Sequence, residues 1–490
     1  MENLLWKQNI NKKLYPHLDK DIEVDYLIIG GGITGISTAY FLGNIKEQVA
    51  IIDEGEFAHG VTMRSTAKLT YLQEDLYSKI IKAHGENKAY EYIKSQKDAI
   101  NLVINNIKEH NINCNLEKTT SYLFTCDEKN INKLEKEKTN YQGLNLKKDD
   151  FPLILNNLKA LDAFFKEDTY VFHPIKYLTK LLEILEKRNI LLFEKTKAIK
   201  IIKEKDQYLV LTNHKTIKSK KIVIACHYPF FFFPNFIPFH THLEKSAITV
   251  IDSKFENIQG INIDKTTHSF RYHKDKDKSY LIYLSDSHKL GNQLDNEQIK
   301  ENILNKSNNI ANKDKLFFWT NYDIITSDYL PIIGPLHKND ENMLIATGYN
   351  TWGMTNGTLA GKMLSCYLLE KEVPYKNLFA PFRKLSIYKT VNILMDNLHN
   401  SKSFILSKIK KVHSFYPKQV LITTIDEQKC GIYIDEKKQK HIVKLTCPHM
   451  MCSLTFNKEE KTWDCPCHGS RFDIDGNVIK GPSSYSISFK

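Results

Sequence analysis

The chain has 490 residues, room for roughly three domains of about 150 residues each. Its 42% hydrophobic and 11% aromatic content supports packed cores and excludes a disordered chain. The formal net charge is +12, but the lysines alternate with other residues, as in Lys274-Asp275-Lys276-Asp277-Lys278. That is a solvated-surface pattern with no nucleic-acid motif beside it, so nucleic acid is not expected as a partner.

No run of about 18 apolar residues occurs, and the polar residues 1–20 lack an apolar core, so neither a transmembrane span nor a signal peptide is expected. Nine cysteines are present. Cys114, Cys126, Cys226, Cys366 and Cys430 are dispersed like plain buried residues, which fits a reducing compartment and a cytoplasmic location. The remaining four crowd together near the C-terminus.

In chain order, the first element is a buried strand over residues 23–29, apolar and rich in β-formers. It runs into Gly30-Gly31-Gly32-Ile33-Thr34-Gly35 and an apolar helix. G-x-G-x-x-G between strand and helix is the dinucleotide fingerprint: the glycines permit a tight turn, and the helix N-terminus faces a pyrophosphate. Gly30, Gly32, Ile33, Thr34 and Gly35 are therefore candidate contacts. A second strand, 49–52, ends in Asp53, 18 residues beyond Gly35. Asp53 and the adjacent Glu54 are the acids suited to a ribose hydroxyl. The polar stretch Thr62, Arg64, Ser65, Thr66 and Lys68 follows, able to touch a cofactor or to cap a helix.

Residues 90–165 read as Lys/Glu/Asn-rich helices. His173-Pro174 opens another helix, followed by short strands near 190–193 and 198–201 and a buried strand over 221–226. Between 229 and 239, the phenylalanine run is broken by three prolines, which exclude a helix. This stretch reads as a linker packing rings on the dinucleotide domain, with a lipid-touching tip as the second reading. Residues 240–325 carry alternating strands, within which Arg271 is a candidate carboxylate clamp and His288 a candidate pocket residue. The motif Asp328-Tyr329-Leu330-Pro331-Ile332-Ile333-Gly334-Pro335 precedes a strand at 343–347, the turn Gly348-Tyr349-Asn350-Thr351-Trp352-Gly353, and a helix expected over 358–369.

Taken together, these motifs resemble the D-amino-acid oxidase/sarcosine oxidase-like FAD-dependent oxidoreductases, in the glycine-oxidase branch, over residues 20–375. The resemblance implies an α/β Rossmann-like FAD-binding domain with an inserted α+β substrate domain. It assigns Thr62, Arg64, Ser65 and Thr66, Ile199 near the adenine, and Gly334, Gly348, Gly353, Met354 and Thr355 to FAD contacts. The expected division is 1–90, 166–240 and 326–380 for FAD, 91–165 and 241–325 for substrate, a helical connector at 381–412, and 413–490 for a C-terminal module.

That module holds Cys447-Pro448-His449, then fifteen residues, then Cys465-Pro466-Cys467-His468-Gly469-Ser470. Two thiolates and two imidazoles at C-x-H and C-x-x-H suit a Rieske [2Fe–2S] centre; a Cys₂His₂ zinc site is the rival. One further cysteine in each loop and the run from Trp463 to Asp473 resemble the Rieske ferredoxin-like family, all-β in fold. The resemblance implies Cys447 and Cys465 on one iron, His449 and His468 on the other, and Cys452–Cys467 as a disulfide clasp. Met451 stands where the family usually has Gly. Phe472 stands where high-potential members have Tyr, leaving Ser470 as the hydroxyl donor, so a potential below the top of the Rieske range is expected.

A flavin takes an electron pair, whereas the cluster carries single electrons. The reading is an FAD-dependent dehydrogenase: a small amine or amino acid gives hydride to FAD, and electrons leave through the cluster to an external one-electron acceptor or quinone. A reductase or quinone-linked electron-transfer flavoprotein and a non-catalytic redox relay are the alternatives. The first would need a second dinucleotide motif, and none is found. A Rieske oxygenase would need a mononuclear iron site, and no D-x-x-H-x-x-x-x-H run occurs.

Overall fold

The computed structural model describes residues 4–489 apart from 9, 11, 142–150, 230–236, 238–239, 255, 290–314, 384–418, 450, 458–460, 466–468, 481–482 and 484. Most of the Phe/Pro stretch, nearly all of the expected connector, and the expected ligand His468 and clasp residue Cys467 lie outside the described residues. Among those described, no helix is long and apolar enough to cross a membrane.

The first sheet grows from the strand Ile22–Ile29, whose inner half is buried on both faces. Such a continuous apolar run belongs in the middle of a parallel sheet. It pairs in parallel with Val49–Ile52 on one side and Thr216–Ile224 on the other. Leu191–Phe193 and Asp340–Thr347 extend the parallel ladder, and Ile332–His337 closes one edge antiparallel. The helix Ile33–Leu42 is buried nearly all round, its small Thr34, Ser37 and Thr38 included, as a helix between two layers must be. On its far side lies Gly353–Leu368. A Cβ added at Gly361 would sit 2.5 Å from Ser37 Cβ, so only glycine lets these two helices approach so closely.

The second sheet has eight strands, running from Lys315–Thr326 through Thr241–Asp252, Lys278–Lys289, His268–Asp275, Ile258–Asn262, Glu117–Thr125 and Asp162–Val171 to Lys68–Leu69. The all-helical expectation for 90–165 is corrected here. The helix Glu86–Glu109 is present, but Glu117–Thr125 is a strand of alternating burial. Its Thr, Tyr and Phe residues prefer the pleated, half-buried surface that the neighbouring strands provide. Lys68–Leu69 also joins this sheet, by pairing with Tyr170 and Val171.

The C-terminal part is all β: a three-stranded sheet, Val420–Ile425, Gln428–Ile434 and Lys440–Lys444, and a four-stranded one, Thr455–Asn457, Thr462–Asp464, Arg471–Phe472 and Val478–Lys480. Trp463 and Phe472, both fully buried, centre its core.

Candidate cofactor cleft and cluster loops

At the C-terminal ends of the central parallel strands lies a cleft of about 460 Å³, the position where open α/β sheets bind ligands and the size of a ligand pocket. Gly30, Gly32, Ile33, Thr34, Asp53, Glu54, Thr62, Arg64, Ser65, Ile199, Gly353 and Met354 line it, so twelve residues singled out in sequence converge on one cleft. Gly30 has φ +112°, and a Cβ there would lie 2.6 Å from the Ala225 carbonyl oxygen. Gly35 is elsewhere: a Cβ on it would meet the Gly30 oxygen at 1.9 Å, so it serves the close packing of helix on turn.

Asp53 accepts the Gly31 N–H at 2.7 Å and the Gly55 N–H at 2.8 Å. Burial pushes its carboxyl up to about 6, against those two hydrogen bonds. Thr62 Oγ1 accepts the first helical N–H, from Ile33, at 3.2 Å. Two buried tryptophans pin the loop that follows. Trp6 Nε1 donates to the Ser65 carbonyl at 2.8 Å, and Trp319 Nε1 to the Arg64 carbonyl at 3.0 Å. On the opposite side, the Tyr349 hydroxyl is 2.7 Å from Thr34 Oγ1. Asn356 Nδ2 donates to the Tyr349 carbonyl at 3.2 Å, and Gln96 Nε2 donates to Asn356 Oδ1 at 2.8 Å. This buried network fixes the turn that precedes Gly353.

Other expected contacts lie off the cleft. Thr355 Oγ1 donates to Gln96 Oε1 at 2.7 Å. The Thr66 carbonyl accepts from Arg271. Gly348, with φ +73°, follows the strand Asp340–Thr347 and packs against Thr326, and Gly334, with φ +140°, sits within the strand Ile332–His337 beside Tyr367. Lys68 Nζ bonds the Gly260 carbonyl at 3.2 Å and Ser269 Oγ at 2.5 Å, and burial lowers it to about 7.

Arg271 is not in the cleft. Its guanidinium is fully buried and donates to the carbonyls of Thr66, Ala67 and Phe172 at 2.9–3.1 Å. With Nη1 engaged by these three backbone oxygens, Nη2 3.3 Å from His273 Nδ1 and Nε donating to the Tyr272 carbonyl, the guanidinium holds the Thr66–Ala67 loop to the second sheet and leaves the carboxylate-clamp expectation without support. His288, opposite Lys245 on Lys278–Lys289, is also away from the cleft lining. Residues the sequence did not flag complete the wall: Cys226, His227 and Tyr228, then Thr320 to Asp323, and, from the C-terminal module, Arg471, Ile479 and Ser483.

In the cluster loops, Cys447 N–H donates to the Cys452 carbonyl at 2.8 Å, and Cys465 N–H to the Ser470 carbonyl at 2.7 Å. Cys447 and Cys465, the expected ligands, are buried, and neither is in a disulfide. Burial pushes the His449 imidazole down to about 4, the neutral form that ligates a metal. Ser470 is fully buried, and its Oγ accepts the Ser483 N–H at 2.9 Å. Among the described residues, no three potential ligands are gathered closely enough to hold a metal ion, and His468 is not among them.

A family model described as FAD dependent oxidoreductase matches residues 25–366. The chain belongs to the FAD-dependent oxidoreductase family. A Rieske [2Fe-2S] domain model matches residues 406–488 of the same oxidoreductase. The Rieske 2Fe-2S iron-sulfur protein YhfW of Bacillus subtilis (strain 168) is 31% identical over 488 residues, covering 98% of this chain and 95% of that one. Glycine oxidase from Geobacillus kaustophilus superposes with TM-score 0.59 at 14% identity, covering 74% of this chain and all of that one. L-proline dehydrogenase from P. horikoshii superposes with TM-score 0.56 at 16% identity, covering 75% and 98%. At these identities the likeness to the solved structures is one of fold.

The oxidoreductase thus uses FAD and a Rieske [2Fe–2S] cluster, and the residues present fit both. A Cβ at Gly32 would crowd Thr62 Oγ1 at 3.1 Å, so the glycine leaves room for a phosphate at the helix N-terminus. Buried, disulfide-free thiols at Cys447 and Cys465 and a neutral imidazole at His449 are the donor types that a Rieske cluster needs.

Proposed function

We propose that this FAD-dependent oxidoreductase oxidises a small amine or amino acid at its C–N bond and exports the electrons singly through its own Rieske cluster to an external acceptor. The observation that carries this reading is the shared wall: Arg471, Ile479 and Ser483 of the cluster-bearing module line the same cleft as Gly30, Gly32 and Thr34. Bound FAD supplies the hydride acceptor, and the cluster supplies a one-electron exit. Asp53 and Glu54 hold the ribose end, the helix starting at Ile33 faces the pyrophosphate, and Arg64, Ser65, Gly353 and Met354 flank the ring. Cys447, His449, Cys465 and His468 hold the irons, with Cys452–Cys467 as the clasp.

The substrate class rests on the named fold relatives, a glycine oxidase and an L-proline dehydrogenase. A protein with its own electron exit does not need oxygen as acceptor, and the chain works in the cytoplasm. The test is anaerobic mixing of the holoenzyme with a panel of amines and amino acids. Bleaching of the flavin followed by loss of the oxidised-cluster spectrum is expected. No bleaching with any amine, together with rapid bleaching by NADH, would overturn the reading in favour of a reductase.

A further inference from the structure

The two redox modules meet at a specific pair of side chains. The Arg471 guanidinium carbon lies 5.3 Å from the Tyr322 ring centroid, within cation–π range. Tyr322 is 6% exposed and the Arg471 side chain 11%, so the contact is largely shielded from water, where such an interaction is strongest.

Each partner is tied to one of the two centres. Arg471 pairs across the sheet with Asp464, the neighbour of the expected ligand Cys465. Its Nε donates to Asp464 Oδ1 and its Nη2 to Thr462 Oγ1, both at 3.1 Å. Tyr322 belongs to Lys315–Thr326, the strand whose Trp319 holds the Arg64 carbonyl of the flavin-side loop. Lys245 also sits over the Tyr322 ring, 5.6 Å from its centroid, so the ring accepts two cations from different parts of the chain.

We infer that the Arg471–Tyr322 contact is the latch that docks the Rieske module on the flavin cleft and sets the rate of transfer between the two centres. The inference rests on the proposed flow from FAD to cluster. Electron tunnelling falls steeply with distance, so a module that rocks off the cleft stops conducting. Two electrons leave reduced FAD one at a time, each taking one Fe(III) of the cluster to Fe(II). The flavin's protons go to solvent, and a one-electron acceptor clears the cluster between transfers. In this scheme Arg471 and Tyr322 are positioning residues.

The test compares holoenzyme carrying Tyr322→Leu, Tyr322→Phe, Arg471→Leu, Arg471→Lys and the double Leu variant. Anaerobic stopped-flow gives the ratio of the cluster-reduction rate to the flavin-reduction rate in each. Amide hydrogen exchange across Lys315–Thr326 and Thr462–Asp464 reports docking independently of turnover. Both Leu variants are expected to lower the ratio about tenfold, equivalent to about 1.4 kcal/mol, and to speed exchange in both strands. The double variant falls no further than either single one. Tyr322→Phe keeps the ring and transfers as the parent does, and Arg471→Lys falls between. Unchanged ratios with unchanged exchange, or fully additive losses in the double variant, would overturn the latch. A parent enzyme whose flavin bleaches while its cluster stays oxidised would overturn the proposed function itself.

Discussion

Asp53 receives the Gly31 N–H on one carboxylate oxygen at 2.7 Å and the Gly55 N–H on the other at 2.8 Å. One side chain thus ties the glycine turn to the end of the second strand while lining the cleft.

The first prediction follows from that double role. The carboxylate is the stronger acceptor for a ribose hydroxyl, and burial lifts it to about 6 in the free site. FAD affinity should therefore fall as pH drops through about 6. Asp53→Asn should bind FAD about 30-fold more weakly at pH 7, on the order of 2 kcal/mol for a hydrogen bond to a charged group. It should also lose the pH step. Titration of apo-protein with FAD by fluorescence quenching checks both; an equal step in the variant would remove Asp53 from the ribose.

Arg383 and Asp328 form a buried bidentate pair, both contacts at 2.6 Å. Arg383 further donates to the carbonyls of Leu330 and Pro331 at 2.7 and 2.9 Å. Arg383→Met would take two charge-assisted bonds from the buried Asp328 carboxylate, leaving His84 Nε2 beside it at 3.4 Å, and should cost about 3 kcal/mol. Asp328→Asn/Arg383→Met should recover part of that loss. Urea unfolding followed by tryptophan fluorescence measures it, and a loss below about 1 kcal/mol in the single variant would contradict the assignment.

Lys68 yields a pH prediction from a depressed ammonium rather than a depressed carboxylate. Its folded value is near 7 because burial disfavours the charge, against about 10.4 for a free lysine. Between those values the unfolded chain binds the additional proton, so this group makes stability rise with pH from about 7 toward about 10, by up to about 1.4 kcal/mol per pH unit. Lys68→Met should remove that slope. Denaturant midpoints measured at intervals from about pH 6.5 to about 9.5 in both proteins decide it; parallel curves would refute it.

Ser470 Oγ accepts the Ser483 N–H, which leaves its hydroxyl proton available, and a bound cluster would receive it at a sulfur. Ser470→Ala should lower the cluster potential, since a donor to sulfur stabilises the reduced state. Cys465→Ser should abolish the cluster spectrum and leave the flavin absorbance in place. Redox titration and metal analysis test the pair. A higher potential in Ser470→Ala, or zinc instead of iron in the parent, would be decisive against it.

Motifs written in contiguous residues are legible in the chain itself. The turn at Gly30 to Gly35, the acid at Asp53 and the C-x-H and C-x-x-H loops each place their groups through short-range geometry, and spacing is enough to read them. Arg271 is different, because an arginine in a strand carries no mark of what its fork will meet. Three backbone carbonyls, from residues about 100 and 200 positions away, claim it. The strand Glu117–Thr125 is hidden for a related reason: its β character is expressed only against partners as distant as Ile258–Asn262.

By itself, then, the chain's order of residues determined a dinucleotide turn and a paired Cys/His site, and its resemblance to two known families implied the flavin and the iron–sulfur centre on one polypeptide. Only the tertiary structure decided that Arg471 and Tyr322 meet, that Ser483 and Gly30 share a cleft, and that Arg271 is a brace. The physical reason is range. Turn geometry and ligand spacing act over a few residues, whereas burial and side-chain pairing depend on neighbours that the fold alone brings together.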